Sequence, residues 1–261
     1  MYIDTPKGKI YYEVHGKGKP VLIVYGAGSE VRNYINLRKI FLGIGYKVIQ
    51  FDFFGHGKSS GKTKNQHNYF YCIDSVLNKL KIKKCSFFGN SAGASILLRY
   101  TNNSKKVENL ILSAPAKVKI LKCLIKEFIK RVWIIFKFKT ISPSKIEFIS
   151  YDMDFTPTDD EELKTKIIKR MIRQRNHLKR DILLLKKINI QKEAEKINVP
   201  TLIIKGEKDN VSFTKNVSEN IHKYIKNSRI RYIKGLKHQG MELKLDEIQK
   251  EVKEFFEEIG Y

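Results

Sequence analysis

Cysteine is scarce in this chain. Cys72, Cys85 and Cys123 are three thiols in 261 residues, an odd set without Cys-x-x-Cys spacing. That argues against a disulfide frame or a zinc cage and in favour of reduced packing residues. No stretch approaches the eighteen or so uninterrupted apolar residues of a spanning helix. The opening Met1 to Lys7 has no apolar h-region of the secretory kind, so a soluble, cytoplasmic protein is expected. Acidic residues are short as well, with 27 Asp and Glu against 51 Lys and Arg and a net charge of +24. Such an excess invites a nucleic-acid or anionic-membrane partner. The lysines, however, are scattered over nearly every amphipathic segment, and no aromatic-basic RNA motif, zinc-finger spacing or helix-turn-helix accompanies them, so no nucleic-acid partner is expected. Clustered His, Cys or carboxylate spacing is missing too, and no metal is expected.

What the chain has is enough apolar material, 42% of residues, for one sizeable core. It also has one stretch with a chemical signature. Cys85 to Phe88 reads as a buried strand, Ala92 to Tyr100 as a helix, and Gly89-Asn90-Ser91-Ala92-Gly93 between them fits Gly-x-Ser-x-Gly, the nucleophile-elbow pattern. A serine at such a hairpin adopts an unfavourable backbone geometry that works only if the residues two positions away have almost no side chain. Its hydroxyl is thereby held out at the sheet's edge. It also sits at a helix N-terminus, where free N–H groups favour negative charge developing on a substrate oxygen.

Around that stretch the chain alternates strand and helix. Lys9 to Val14 and Val21 to Tyr25 read as strands, Asn33 to Leu42 as a helix, Lys47 to Phe51 as a strand and His67 to Ile82 as a helix. Val107 to Ser113 is the strand after the elbow helix. From about Ala116 to about Glu195 no convincing strand occurs, only basic helical stretches around an acidic, Pro-containing break. Val199 to Lys205 restores a core strand, Phe213 to Lys226 reads as helical, Arg229 to Ile233 as a strand, and Met241 to Ile259 as a closing amphipathic helix. The alternation predicts an α/β fold with a mostly parallel central sheet and helices on both faces.

The order of parts resembles the α/β-hydrolase family over nearly the whole chain outside residues 116–195. Three motifs carry the resemblance: the elbow; Asp52-Phe53-Phe54-Gly55-His56-Gly57-Lys58-Ser59, similar to the family's Gly-x-Gly-x-Ser loop; and Gly206-Glu207-Lys208-Asp209 after a strand, with Lys237-His238 before the last helix, similar to its acid and base. The resemblance implies a core of residues 1–115 and 196–261 with 116–195 as an inserted helical lid. It implies Ser91 as nucleophile, His238 as base and Asp209 as the acid that orients it, in the family's chain order. His56 is a rival base whose counterpart in the family is structural. The oxyanion donors implied are the backbone N–H groups of Ala27 and Ala92. Where many relatives carry His-Gly, this chain has Tyr25-Gly26, which puts a phenol near the site, either as a substrate contact or as a packing residue.

The expected activity is hydrolysis of a carboxylic ester of a small, apolar acyl substrate through an acyl-enzyme, without cofactor. Thioesters, lactones and C–C bonds next to a ketone are open to the same three residues. Asp nucleophiles of dehalogenase or epoxide-hydrolase kind are disfavoured by Ser91. From other classes, a non-catalytic ligand receptor or a membrane-surface protein fits the same scaffold. The helical stretch Leu121 to Phe138 bears on that choice, because Leu121, Leu124, Ile125, Phe128, Ile129, Val132, Trp133 and Phe136 recur at helical spacing beside Lys122, Lys126 and Lys130. As a lid, the stripe closes over the site and Phe128 and Trp133 bind the acyl chain. As an interfacial helix, it rests on anionic headgroups.

Overall fold

The computed structural model describes residues 1–117, 120–211, 214 and 216–261, without the side chains of 120–124, 127, 175 and 176. The expectations placed on Leu121, Lys122, Cys123, Leu124 and Phe213 lie outside the described residues or side chains. In chain order the strands are β1 (Tyr2–Thr5), β2 (Gly8–His15), β3 (Pro20–Val24), β4 (Lys47–Phe51), β5 (Cys85–Asn90), β6 (Val107–Ser113), β7 (Thr201–Gly206) and β8 (Ser228–Ile233). Helices of the first half are α1 (Arg38–Leu42), α2 (Gln66–Lys79) and α3 (Ala92–Thr101). Five more fill the interval between β6 and β7: α4 (Ile120–Phe138), α5 (Pro143–Met153), α6 (Glu161–Arg173), α7 (Arg175–Leu185) and α8 (Ile190–Ala194). The last two are α9 (Val217–Tyr224) and α10 (Leu245–Glu258).

The sheet runs β1-β2-β4-β3-β5-β6-β7-β8. β1 pairs with β2, and β2 with β4, antiparallel; every other neighbouring pair is parallel. Central parallel strands are covered on both faces, so their sequences are continuously apolar rather than alternating. β5 is buried along its whole length, its polar Ser86 paired with Asn109. One face packs α2, α3 and α9 through residues such as Tyr69, Ile73, Leu97 and Ile221. The other packs α1 and α10 through Ile40, Phe41, Val252 and Phe256. Each such side chain contributes about 1.5–3 kcal/mol by leaving water. Cys72 and Cys85 are free thiols inside this packing, raised by burial.

Two departures from the sequence reading have local causes. The helix expected over Asn33 to Leu42 is broken into a 3₁₀ turn, Val31–Tyr34, and the short α1. Asn33 caps the turn: its Oδ1 accepts from the Glu30 N–H at 2.8 Å, which holds the chain in a turn rather than extending the helix. The other departure is β1, which completes a hairpin with β2.

The chain crosses from the β4 side of β3 to the β5 side, and the loops after β3 and β5 therefore open side by side at the strands' C-terminal ends, where open α/β sheets place ligands. The segment between β6 and β7 holds a small cluster of its own around Phe155, Ile167 and Ile168. Two of its ties to the core lie close to the loops at that edge. Residues 154–156 pair with Gln239, Thr156 N–H donating to the Gln239 carbonyl at 2.9 Å and Gln239 N–H to that of Asp154 at 3.0 Å. α7 lies against the loop after β3, so closely that a methyl on Gly28 would come within 3.0 Å of the Leu178 nitrogen.

Candidate active site

Ser91 stands between β5 and α3 with φ 51° and ψ −113°, a conformation that costs a residue with a side chain of order 1–3 kcal/mol. The two flanking glycines make it tolerable. A β-carbon on Gly89 would lie 2.7 Å from the Ala94 α-carbon, and one on Gly93 would lie 2.6 Å from the Tyr25 carbonyl oxygen. Neither obstacle is a side chain that could swing aside. Helix, strand and loop therefore interlock at this corner only with glycine at both positions.

The last loops of the sheet bring the other two residues to it. His238 Nε2 is 3.4 Å from Ser91 Oγ, and His238 Nδ1 is 3.0 Å from Asp209 Oδ2. The second Asp209 oxygen accepts from Thr214 Oγ1 at 2.7 Å and from the Val211 N–H at 3.3 Å, so the carboxylate is fixed at both ends. Burial would push the His238 imidazole down, but the charge and hydrogen bond of Asp209 outweigh it and hold the imidazole above its ordinary value. The same pairing holds Asp209 below the usual carboxylate value, against the burial that would raise it.

Ala92 is the first residue of α3, so its N–H has no partner within the helix. Gly26 packs on the nucleophile itself: a methyl there would be 3.5 Å from the Ser91 β-carbon. That brings the Gly26–Ala27 peptide alongside Ser91, with the Ala27 N–H on the same loop. Tyr34 closes the arrangement, its hydroxyl donating to Asn90 Oδ1 at 2.9 Å and accepting from the Gly26 N–H at 3.4 Å.

Other expected residues stand elsewhere. Tyr25 is buried in the α1/α10 face of the core, stacked on Tyr34 at 4.5 Å between ring centroids. At 3% exposure it packs as a core residue. Phe128 and Trp133 are exposed on α4; the helix turns a different face, with Ile134, into the protein. They do not form a closed acyl pocket. A cleft of about 480 Å³ does border the loop after β3, lined by residues that include Arg32, Arg170, Gln174 and His177. Asp52 is a buried loop tie, accepting from the N–H groups of Val31 at 2.7 Å and Lys58 at 2.8 Å.

His56 leads to a residue that sequence reading missed. Its Nε2 lies 3.0 Å from Asp181 Oδ2 and its Nδ1 3.2 Å from the Phe54 carbonyl, so both ring nitrogens are engaged in the loop network. Asp181, on α7, is buried and also accepts from the Gly28 N–H at 2.8 Å and from the Tyr69 hydroxyl at 2.7 Å. A signal for it was present: Leu178, Asp181, Ile182 and Leu185 share one helical face, and a carboxylate in an apolar stripe demands partners. Among the described residues no group of His, Cys and carboxylates could hold a metal ion.

The family model for serine aminopeptidase, S33, matches residues 17–242, and the chain belongs to that α/β-hydrolase family. A proline iminopeptidase of Saccharolobus solfataricus is 24% identical over 95% of this chain and 88% of its own. A monoglyceride lipase homolog of Monkeypox virus is 24% identical over 89% of this chain and 85% of its own. Among solved structures, an esterase from Exiguobacterium antarcticum superposes with a TM-score of 0.80 at 21% identity, covering 98% of both chains. The fold is thus that of the α/β hydrolases, and the family is one of hydrolases.

Proposed function

We propose that the protein is a serine hydrolase that cleaves carboxylic esters through an acyl-enzyme. The observation that carries this reading is the line of contacts from Ser91 to His238 to Asp209. A serine hydroxyl is a poor nucleophile until an imidazole removes its proton, and the imidazole needs a carboxylate to fix its tautomer and balance the cation it becomes. Ser91 Oγ attacks the ester carbonyl carbon while its proton passes to His238 Nε2. The oxygen, now an anion, is held by the N–H groups of Ala27 and Ala92. Collapse of this adduct breaks the C–O bond, and the leaving alkoxide takes the proton from His238. Water then attacks the acyl-serine by the same route, releasing the acid and restoring the hydroxyl. No step calls for a metal or cofactor.

Residues 116–195 act in this reading as a lid, which approaches the oxyanion loop through Asp181 and the His238 loop through residues 154–156. The family description and the iminopeptidase relative favour a second reading, amide cleavage at a peptide N-terminus, which needs the same three residues plus a carboxylate for the substrate's ammonium group. The deciding experiment compares p-nitrophenyl butyrate with prolyl p-nitroanilide, on the native protein and on Ser91→Ala. Ester turnover lost by roughly 10⁴-fold in kcat in the variant is expected. Turnover of the anilide without the ester would replace the ester reading with the peptidase one, and equal fluorophosphonate labelling of native protein and variant would remove both.

A further inference from the structure

α4 is amphipathic in the reverse sense. Two of its basic side chains face inward: Lys130 Nζ donates to the Ser150 carbonyl at 2.8 Å and lies 3.0 Å from Asp154 Oδ2, and Arg131 pairs with the buried Glu147 at 3.6 Å. Beside them Ile134 is fully buried. The apolar stripe faces out. Ile125 is 50% exposed, Phe128 68%, Ile129 60%, Trp133 43% and Phe136 78%, and these positions fall along one side of a helix of 3.6 residues per turn. Ile141, just beyond the helix, is 86% exposed. Soluble surfaces scatter such residues singly, and a contiguous group marks an interaction site.

The surroundings of the stripe are basic. Lys126, Lys137, Lys139 and Lys145 are exposed around it, and the Lys137 ammonium lies 4.6 Å from the centre of the Trp133 ring. From residue 117 to residue 145 the sequence has nine basic residues and one acidic residue, Glu127. We propose that this face of α4 docks on an anionic lipid surface, with the helix lying in the interface plane.

The charge pattern selects that occupant. A second copy of this chain would bring two basic rims together, each on a molecule of net charge +24, and like charges in contact oppose association. A lipid surface supplies the opposite sign, takes up Phe and Ile at the acyl boundary and Trp at the headgroups, and lets lysine stems lie along the apolar face with their ammonium groups in water. It also needs no complementary groove. The contact is peripheral, since among the described residues no helix is long and apolar enough to cross a membrane.

Trp133 is the chain's only tryptophan, which makes its emission a reporter of the proposed contact. The full chain is mixed with phosphatidylcholine vesicles with or without about 30 mol % phosphatidylserine, and followed by flotation and by Trp133 emission. Co-flotation with the anionic vesicles is expected, with a blue shift, quenching by lipids brominated on their acyl chains, and weakening by salt. The double variant Phe128→Ser/Phe136→Ser keeps the reporter and should lose about tenfold or more in partitioning. Lys126→Glu/Lys137→Glu should lose the preference for anionic vesicles. Both should melt at the native temperature, because the replaced side chains are exposed. Flotation without blue shift or quenching, unchanged in the Phe variant, would mean that net charge alone binds and would overturn the proposal. A blue shift that depends on protein concentration without vesicles would assign the face to a second copy. Absence of flotation, or a lowered melting temperature in the Phe variant, would also overturn it.

Discussion

Replacing Asp181 tests whether the segment between β6 and β7 governs the loop after β3. The carboxylate accepts from Gly28 N–H, Tyr69 O–H and His56 Nε2, and Gly28 follows directly on the residue assigned as an oxyanion donor. In Asp181→Ala all three partners are left in a buried place without an acceptor. At about 1–3 kcal/mol for each unsatisfied group, and with some rehydration of the space vacated, the loss of stability should be about 3–5 kcal/mol. Asp181→Asn keeps one oxygen. Its amide nitrogen fits best against the Tyr69 hydroxyl, which can rotate to accept, so the Gly28 contact survives and the loss should be about 1–3 kcal/mol. Stability is read by urea unfolding, and kcat and KM on a soluble ester below the transition. In the alanine variant kcat should fall about 10²-fold, comparable to removing an oxyanion donor, with a smaller change in KM. Tyr69→Phe is the control, since it removes one bond to Asp181 and leaves Gly28 held; its kcat should stay near native. An Asp181→Ala enzyme that is less stable but equally fast would refute the reasoning. So would a Tyr69→Phe enzyme as slow as Asp181→Ala, because the effect would then be a general loosening.

Three further outcomes are expected. The rate should rise with pH as His238 loses its proton; because Asp209 holds that imidazole above its ordinary value, the midpoint of kcat/KM should lie above about 6.5, and a flat profile across that range would argue against a histidine base. Asp209→Asn should keep the fold and lower kcat by roughly 10⁴-fold, whereas Asp52→Asn should cost about 1–3 kcal/mol of stability and little rate; the reverse ranking would mean that the acid was misassigned. Ser91→Gly should abolish ester turnover and raise the urea midpoint, by about 1–3 kcal/mol in unfolding free energy if the positive φ is relieved; an unchanged or lower midpoint would show that the serine's backbone is not strained.

What was legible in the sequence was what is local. The elbow announces itself in five residues because its glycines are demanded by backbone sterics within the same turn. β3, β5, β6 and β7 were readable because strands covered on both faces carry runs of apolar residues, such as Phe87-Phe88 and Leu110-Ile111-Leu112. The pairing of positions 28, 56, 69 and 181 was not readable, since each hydrogen bond joins residues that only the folded sheet and α7 bring together. The stripe on α4 shows a different limit: periodicity reveals that a helix has an apolar side, but which side turns inward depends on partners such as Asp154 and Glu147. Tyr25 was ambiguous for a related reason. It stands just past the end of β3, where the strand pattern no longer says what a side chain meets.

The backbone of Ser91 also bears on descent. Under selection for folding alone, position 91 would drift toward glycine, which occupies that conformation without penalty. A lineage that kept this scaffold only to bind a ligand would shed the serine early and gain stability by doing so. On the proposed reading, the serine at that corner, between two glycines that the packing leaves no freedom to change, is kept for its chemistry at a cost in stability.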